Sequence, residues 1–137
     1  LKGETITKPT VPTWTNHGFA GWYLDSSCTQ KYDFTTKVTG DVTLYARWFL
    51  WGDVNGDGKA EPRDALIIQR YSVGLAGDSA IVNKIAGLVT GVGRTAPEPK
   101  DALVIQRKAV DLITIFPVET SAAGYEFDLE NNTYIAK

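Results

Sequence analysis

The 137-residue chain has one cysteine, Cys28, and one histidine, His17. A single cysteine excludes an internal disulfide. A catalytic thiol needs a base beside it, and His17 lies in a different loop from the polar, turn-like "DSSCTQ" that holds Cys28. Cys28 therefore reads as a small tolerated side chain. Positive charge is not in excess: 14 Lys and Arg stand against 16 Asp and Glu, with no basic stripe to displace counterions from phosphates. This argues against a nucleic-acid surface. No apolar run approaches the ~20 residues of a membrane span, so no membrane insertion is expected. The opening "LKGETITKPT" has neither the basic start nor the apolar core of a signal peptide. The first residue is expected to be a fragment boundary, and secretion has to be argued from the modules.

What is present is a globular composition, 43% hydrophobic and 22% charged, whose character changes near Trp51. Before that point, short runs rich in Thr, Val, Tyr and Trp alternate with turn residues. Residues 42 to 48 place Val42, Leu44, Ala46 and Trp48 on one face and Thr43, Tyr45 and Arg47 on the other, which is strand periodicity. Residues 1–50 are expected to form a small β module. Residues 51–117 are expected to form a second module, in which the pattern from 64 to 112 is helical: "DALIIQRYSVG" and "DALVIQRKAVDLI" each open with Asp and space aliphatics three and four apart. Between them "DSAIVNKIAGL" reads as a short connecting helix with Ile81, Ile85 and Leu88 on its apolar side. Residues 118–137 are a tail in which "GYEFDLENNTYIAK" forms a hairpin, or one strand with a polar end. No Gly/Ser or Pro spacer separates the halves, and Phe49 and Trp51 are too large to leave in water. The β module is expected to pack directly on the helical one, giving an α+β molecule.

The chemistry lies in "GDVNGDGKAEPRD". With Asp53 as position one, Asn55 is three, Asp57 five, Gly58 six, Lys59 seven and Asp64 twelve. This is the EF-hand oxygen pattern with Asp in place of the usual Glu at the end. Ca²⁺ wants six to eight oxygens, and Asp53, Asn55, Asp57, the Lys59 carbonyl and Asp64 can wrap it while Gly58 allows the turn. The bland alternative is an acidic turn chosen for turn chemistry alone. Asp64 also begins a helix, so it can cap and ligate together.

The helix recurs: "DALVIQR" at 101 repeats "DALIIQR" at 64, and "GLVTGVGR" (87 to 94) overlays "GDVNGDGK" (52 to 59). Such repeats mean two stacked supersecondary units. In the overlay Leu88, Thr90 and Val92 replace Asp53, Asn55 and Asp57, and they cannot offset the dehydration of Ca²⁺. One calcium ion is expected, in the first loop only. The second turn is expected to be held by apolar packing of Leu88 and Val92, the alternative being that 88 to 97 is merely a loop. Catalysis is not expected, because Glu126, Asp128, Asp25 and Asp33 lie in contexts that read as ordinary exposed strand or turn positions.

Calcium loop, twelfth-position Asp and duplicated "DAL[IV]IQR" helix together resemble type I dockerins over about 52 to 116, in a divergent form with a degenerate second loop. The resemblance implies two loop–helix EF-hand-like units with a connecting helix, and a secreted module that binds a cohesin to assemble a cellulosome-type complex for polysaccharide degradation. It implies partner contacts at loop positions ten, eleven, seventeen and eighteen, which here are Pro62, Arg63, Gln69 and Arg70, and in the second copy Pro99, Lys100, Gln106 and Arg107. Many dockerins have Ser or Thr at ten and eleven, so the Pro-Arg and Pro-Lys pairs here imply a partner other than a standard type I cohesin. Gln69/Arg70 and Gln106/Arg107 are identical pairs on equivalent helices, and a pseudo-twofold molecule could present either to the same target. The alternative for these four is an ordinary solvated helix face.

"GETI-KP--P", "F-GWY-D" and "YDFTTKVTGDVTLYA-W" resemble the Listeria–Bacteroides, or internalin B-type, repeat across 3 to 48. That family has a small β-grasp-like fold on bacterial surface proteins and normally starts with one more strand; "YEFDL" is a candidate to fill that gap. Such repeats act as spacers or adhesion modules. The second functional expectation is thus a calcium-stabilised cell-surface spacer or adhesion module without a cohesin. Trp22, Tyr23, Tyr32, Phe34, Tyr45 and Trp48 are expected as core more than as a carbohydrate platform. Both readings place the chain outside the cell.

Overall fold

Residues 3–94 and 96–135 are described by a computed structural model. The β-prone runs "HGFAGWY" and "YARWFL" pair antiparallel as β1 (His17–Tyr23) and β2 (Tyr45–Leu50). The second strand starts later than the alternation at 42 suggests. Tyr45 faces Tyr23, the last residue of β1, so Val42 to Leu44 have no β1 residue to pair with. The register slips between Phe19 and Trp22, where Gly21 takes a positive φ of 105° and absorbs the extra residue of a bulge. Gly18 allows close approach across the pair: a Cβ there would sit 2.1 Å from Phe49 Cζ.

The tail folds as the hairpin, β3 (Glu126–Asp128) with β4 (Thr133–Ile135). β3 lies parallel to β1, with Phe19 opposite Glu126, so the sheet order is β2-β1-β3-β4. "YEFDL" therefore does add a strand beside β1. This corrects the reading of Glu126 as exposed. As part of an interior strand it is buried, and its carboxylate is met by Lys8 Nζ at 2.7 Å and Lys31 Nζ at 3.9 Å.

Two helices of 11 residues, α1 (Pro62–Ser72) and α2 (Pro99–Ala109), pack on each other. Each starts with Pro in its first turn, where the missing N–H costs nothing. Each buries the equivalent Ala and Ile, Ala65 with Ile68 and Ala102 with Ile105. Each ends on a left-handed residue, Gly74 or Asp111. There the N–H of Leu75 donates to Arg70 O at 2.8 Å, and that of Leu112 to Arg107 O at 2.9 Å, a Schellman stop. A third helix, α3 (Pro117–Ser121), leads into the hairpin.

The expected connecting helix is absent. Its stretch holds two 3₁₀ turns, Asp78–Ala80 and Ile85–Gly87. The N–H groups of Val82 and Asn83 donate to Val54 O at 2.8 and 3.1 Å, which ties the segment to the first loop rather than to itself. Ile81, Ile85 and Leu88 are nonetheless buried.

One apolar cluster joins the halves. Phe49, Trp51 and Phe127 meet edge to face with centroids 4.8 to 5.4 Å apart, and Ala20, Val54, Ile68, Ile105, Phe116 and Val118 belong to the same cluster. Polar ties add to it: Lys108 Nζ donates to Asn16 Oδ1 at 2.7 Å, and the Asn16 N–H to Glu119 Oε1 at 2.6 Å. The result is a mixed α/β molecule with a four-stranded sheet and three helices among the described residues. Of the aromatic residues expected as core, Tyr23 is buried, Trp22, Tyr32, Phe34 and Trp48 are partly buried, and Tyr45, on edge strand β2, is exposed.

Candidate metal and docking site

The first loop draws its acids together. Asp53, Asp57 and Asp64 each offer a carboxylate oxygen, and these oxygens all lie within 4.8 Å of one another. Two oxygens bound to one Ca²⁺ at 2.3–2.6 Å are separated by at most ~5 Å, so the three fit one ion. The loop backbone sets the arrangement. Gly56 N and Asp57 N donate to Asp53 Oδ1 at 3.0 and 3.2 Å, and Gly58 N donates to Asp53 Oδ2 at 2.9 Å. Asn55 Oδ1 accepts from Asp57 N at 3.2 Å, and Lys59 N donates to Asp57 Oδ1 at 3.0 Å. Gly56 and Gly58 both have positive φ, 77° and 87°, which lets the chain curl around the acids. Asp64, with a side chain closed to solvent, accepts from Val54 N at 3.1 Å and Glu61 N at 2.8 Å, so it caps α1 while facing the loop.

Burial pushes the Asp64 carboxyl above the ordinary 3.8, and the neighbouring charges of Asp53 and Asp57 push it further. Burial raises Asp53 too, with Asp57 adding to it. Hydrogen bonding, led by the Lys59 N–H, keeps exposed Asp57 low. Charged carboxylates this close repel, and a divalent cation would relieve them. The donor set, carboxylates plus an amide and a loop carbonyl, suits a hard oxygen-seeking ion.

The second loop is held differently, and sequence reasoning missed how. Leu88 is buried and Val92 packs on the core, as the apolar reading has it. The polar side, however, is filled by Arg94. Its Nη1 donates to Asp101 Oδ2 at 2.6 Å and to Glu98 Oε2 at 2.9 Å. Its Nη2 donates to Asp101 Oδ1 at 3.0 Å, Thr90 Oγ1 at 2.9 Å and Gly91 O at 2.9 Å. Burial alone would raise the Asp101 carboxyl, but the hydrogen bonds from Arg94, Glu98 and Thr90 outweigh it and hold the group below 3.8. The signal was in the alignment of the two copies: Arg94 falls opposite Lys59.

The proposed contact residues sit on the outside of the helices. Pro62, Arg63, Gln69 and Arg70 are exposed, as are Pro99, Lys100 and Arg107; Gln106 is half-buried. The isoleucines beside the Gln-Arg pairs, Ile68 and Ile105, are the residues that turn inward. Sequence reasoning also missed a duplicated apolar set. Leu66, Val73 and Leu75 of the first unit are exposed, and so are their counterparts Leu103, Val110 and Leu112, with Leu75 at 77% and Leu112 at 71%. Their 37-residue offset could have shown it.

The model of the Listeria-Bacteroides repeat domain matches residues 1–47. Two curated relatives come from Evansella cellulosilytica. One, provisionally named a Gly-rich membrane protein, is 49% identical over 47 residues, which are 34% of this chain and 5% of that protein. The other, provisionally named a membrane protein, is 45% identical over 58 residues, 41% of this chain and 9% of its own. The chain thus spans less than a tenth of either. No helix among the described residues is long and apolar enough to cross a membrane. Two solved chains, each from a structure of the third cohesin ScaC in complex with the ScaB dockerin of Acetivibrio cellulolyticus, are 29% identical to this one. The first covers 53% of this chain and 97% of its own length at a TM-score of 0.45, and the second 52% and 96% at 0.44.

Proposed function

We propose that residues 51–117 form a calcium-dependent docking module that binds a cohesin, in an extracellular assembly of the cellulosome type, and that residues 1–50 form a β module packed against it. The observation that carries this reading is the convergence of Asp53, Asp57 and Asp64 at the start of α1, on a helix whose outer face presents Arg63, Gln69 and Arg70. One Ca²⁺ held by these acids, with Asn55 and the Lys59 carbonyl, would neutralise the cluster and fix the loop. The fixed loop in turn orients α1.

The exposed surface supports a protein partner. Each unit pairs Gln-Arg on its helix with a Leu, Val and Leu left in solvent on the helix and just past its end, and Arg amid apolar contact is a common anchor of protein interfaces. Pro62 and Pro99 place Arg63 and Lys100 in the first turns. Because the same set is written twice, either helix can face the partner, in orientations related by about a half turn. Nothing in this surface calls for catalysis, and the chain is read as a binding module rather than an enzyme. The test is titration against a panel of cohesins, with binding to at least one expected in calcium.

The match of residues 1–47 to the Listeria-Bacteroides repeat favours a second reading, a calcium-stabilised cell-surface spacer or adhesion module. Failure of every cohesin in the panel, with calcium still bound, would select it.

A further inference from the structure

The two loops meet one electrostatic need in two ways. Asp64 and Asp101 are each buried in the first turn of a helix, and each accepts the N–H of the Glu three residues earlier at 2.8 Å. Each also accepts loop amides, from Val54 at 3.1 Å in the first unit and from Thr90 at 3.1 Å in the second. A buried carboxylate needs a partner of opposite charge. In the second unit Arg94 supplies it through a two-pronged pair with Asp101, supported by Thr90 Oγ1 and Gly91 O. In the sequence overlay Asp101, Thr90 and Gly91 align with Asp64, Asn55 and Gly56, and the first two of these are among the expected ligands of the ion. A planar guanidinium with five donors can thus occupy the place of a cation that needs acceptors. In the first loop the aligned residue, Lys59, is exposed.

We propose that calcium controls only one of two docking faces: the first loop needs the ion to present α1, while Arg94 takes the ion's place in the second loop and presents α2 with or without calcium. The word "docking" rests on the function proposed above; how the two loops are held does not. Calcium would then change how many faces are available, and an assembly would keep one mode of attachment when calcium is scarce.

Amide hydrogen exchange on the 137-residue chain, in calcium and in chelator, tests the loops without any partner. On chelation, Gly56, Asp57 and Gly58 should lose protection by about a hundredfold when the calcium used was a hundred times its Kd, while Thr90 and Glu98 stay protected. Loss of protection in both loops together, or in neither, would overturn the proposal. Arg94→Ala should remove protection at Thr90 and Glu98 in calcium as well, and Arg94→Lys should restore part of it; an unchanged second loop in Arg94→Ala would overturn the proposal. Should Arg94→Ala fail to fold, the wild-type arms decide alone. A cohesin arm reads the function: the variant Gln69→Ala/Arg70→Ala, left with the α2 face, should bind equally within about twofold in calcium and chelator. If no cohesin binds any form in calcium, the docking reading fails while the exchange result still stands.

Discussion

Asp64 and Asp101 hold the same place in two copies of one unit, both closed to solvent, yet Asp101 grips the Arg94 guanidinium at 2.6 Å while Asp64 faces the carboxylates of Asp53 and Asp57. The difference should separate their mutants. Asp64→Asn should weaken calcium binding by at least about tenfold; in the metal-free protein it removes one of three repelling charges but leaves one of the buried Val54 and Glu61 amides without its acceptor, so it should cost less stability than Asp101→Asn. Asp101→Asn should leave calcium titration unchanged. It should lower stability by about 2–4 kcal/mol, somewhat less than the loss of a fully buried pair, since Arg94 remains 22% exposed. Calorimetric titration and urea unfolding check the pair.

Acidity should act on the two units in opposite directions. The folded-state carboxyls of Asp53 and Asp64 lie above 3.8, chiefly through burial. Groups raised in this way hold protons more tightly when folded, so metal-free stability falls as pH rises through the window between 3.8 and the raised values. The same window weakens calcium as pH drops, because protons compete for the ligands; affinity should begin to fall at a pH above 3.8. Asp101 lies below 3.8 when folded, so its contribution is present above that value and is lost as pH falls through the lower one. The stability gap between the wild type and Asp101→Asn should therefore stay level above 3.8 and close below it, which unfolding curves across pH would show.

Two faces on one molecule predict redundancy in calcium. Replacing Gln69 and Arg70 together by Ala, or Gln106 and Arg107 together by Ala, should each leave cohesin affinity within about threefold. Replacing all four should reduce it by at least about a hundredfold. A large loss from one pair and none from the other would reject the two-orientation reading.

Stability should depend on the tail. Phe127 contacts Phe49 and Trp51 and is fully buried, so Phe127→Ala should cost about 3–5 kcal/mol although it lies far from the acidic loop in sequence. Asp111, by contrast, holds the left-handed position that glycine holds in the first unit, with φ of 61° against 77° at Gly74. Asp111→Gly should leave the protein as stable or gain about 0.5–1 kcal/mol. Thermal unfolding distinguishes the two.

Much of this architecture was legible in the chain because local rules decide it. Helices opening with Pro and Asp, with aliphatics three and four apart, fold as their pattern dictates. The acidic loop converges because its spacing and glycines leave the backbone little choice. What was not legible depended on partners distant in sequence. The connecting segment gave up its helix to hydrogen-bond Val54, and Glu126 became interior only because β3 inserts between β1 and β4. The role of Arg94 shows only once Asp101, seven residues on, is seen to be buried and in need of a counter-charge.

Calorimetric titration of the Gln106→Ala/Arg107→Ala variant, which retains only the α1 face, asks whether an ion in the first loop presents α1 to a cohesin. The expected result is binding to a cohesin in calcium and its loss in chelator. Equal affinity under both conditions, or no binding to any cohesin in calcium, would contradict it.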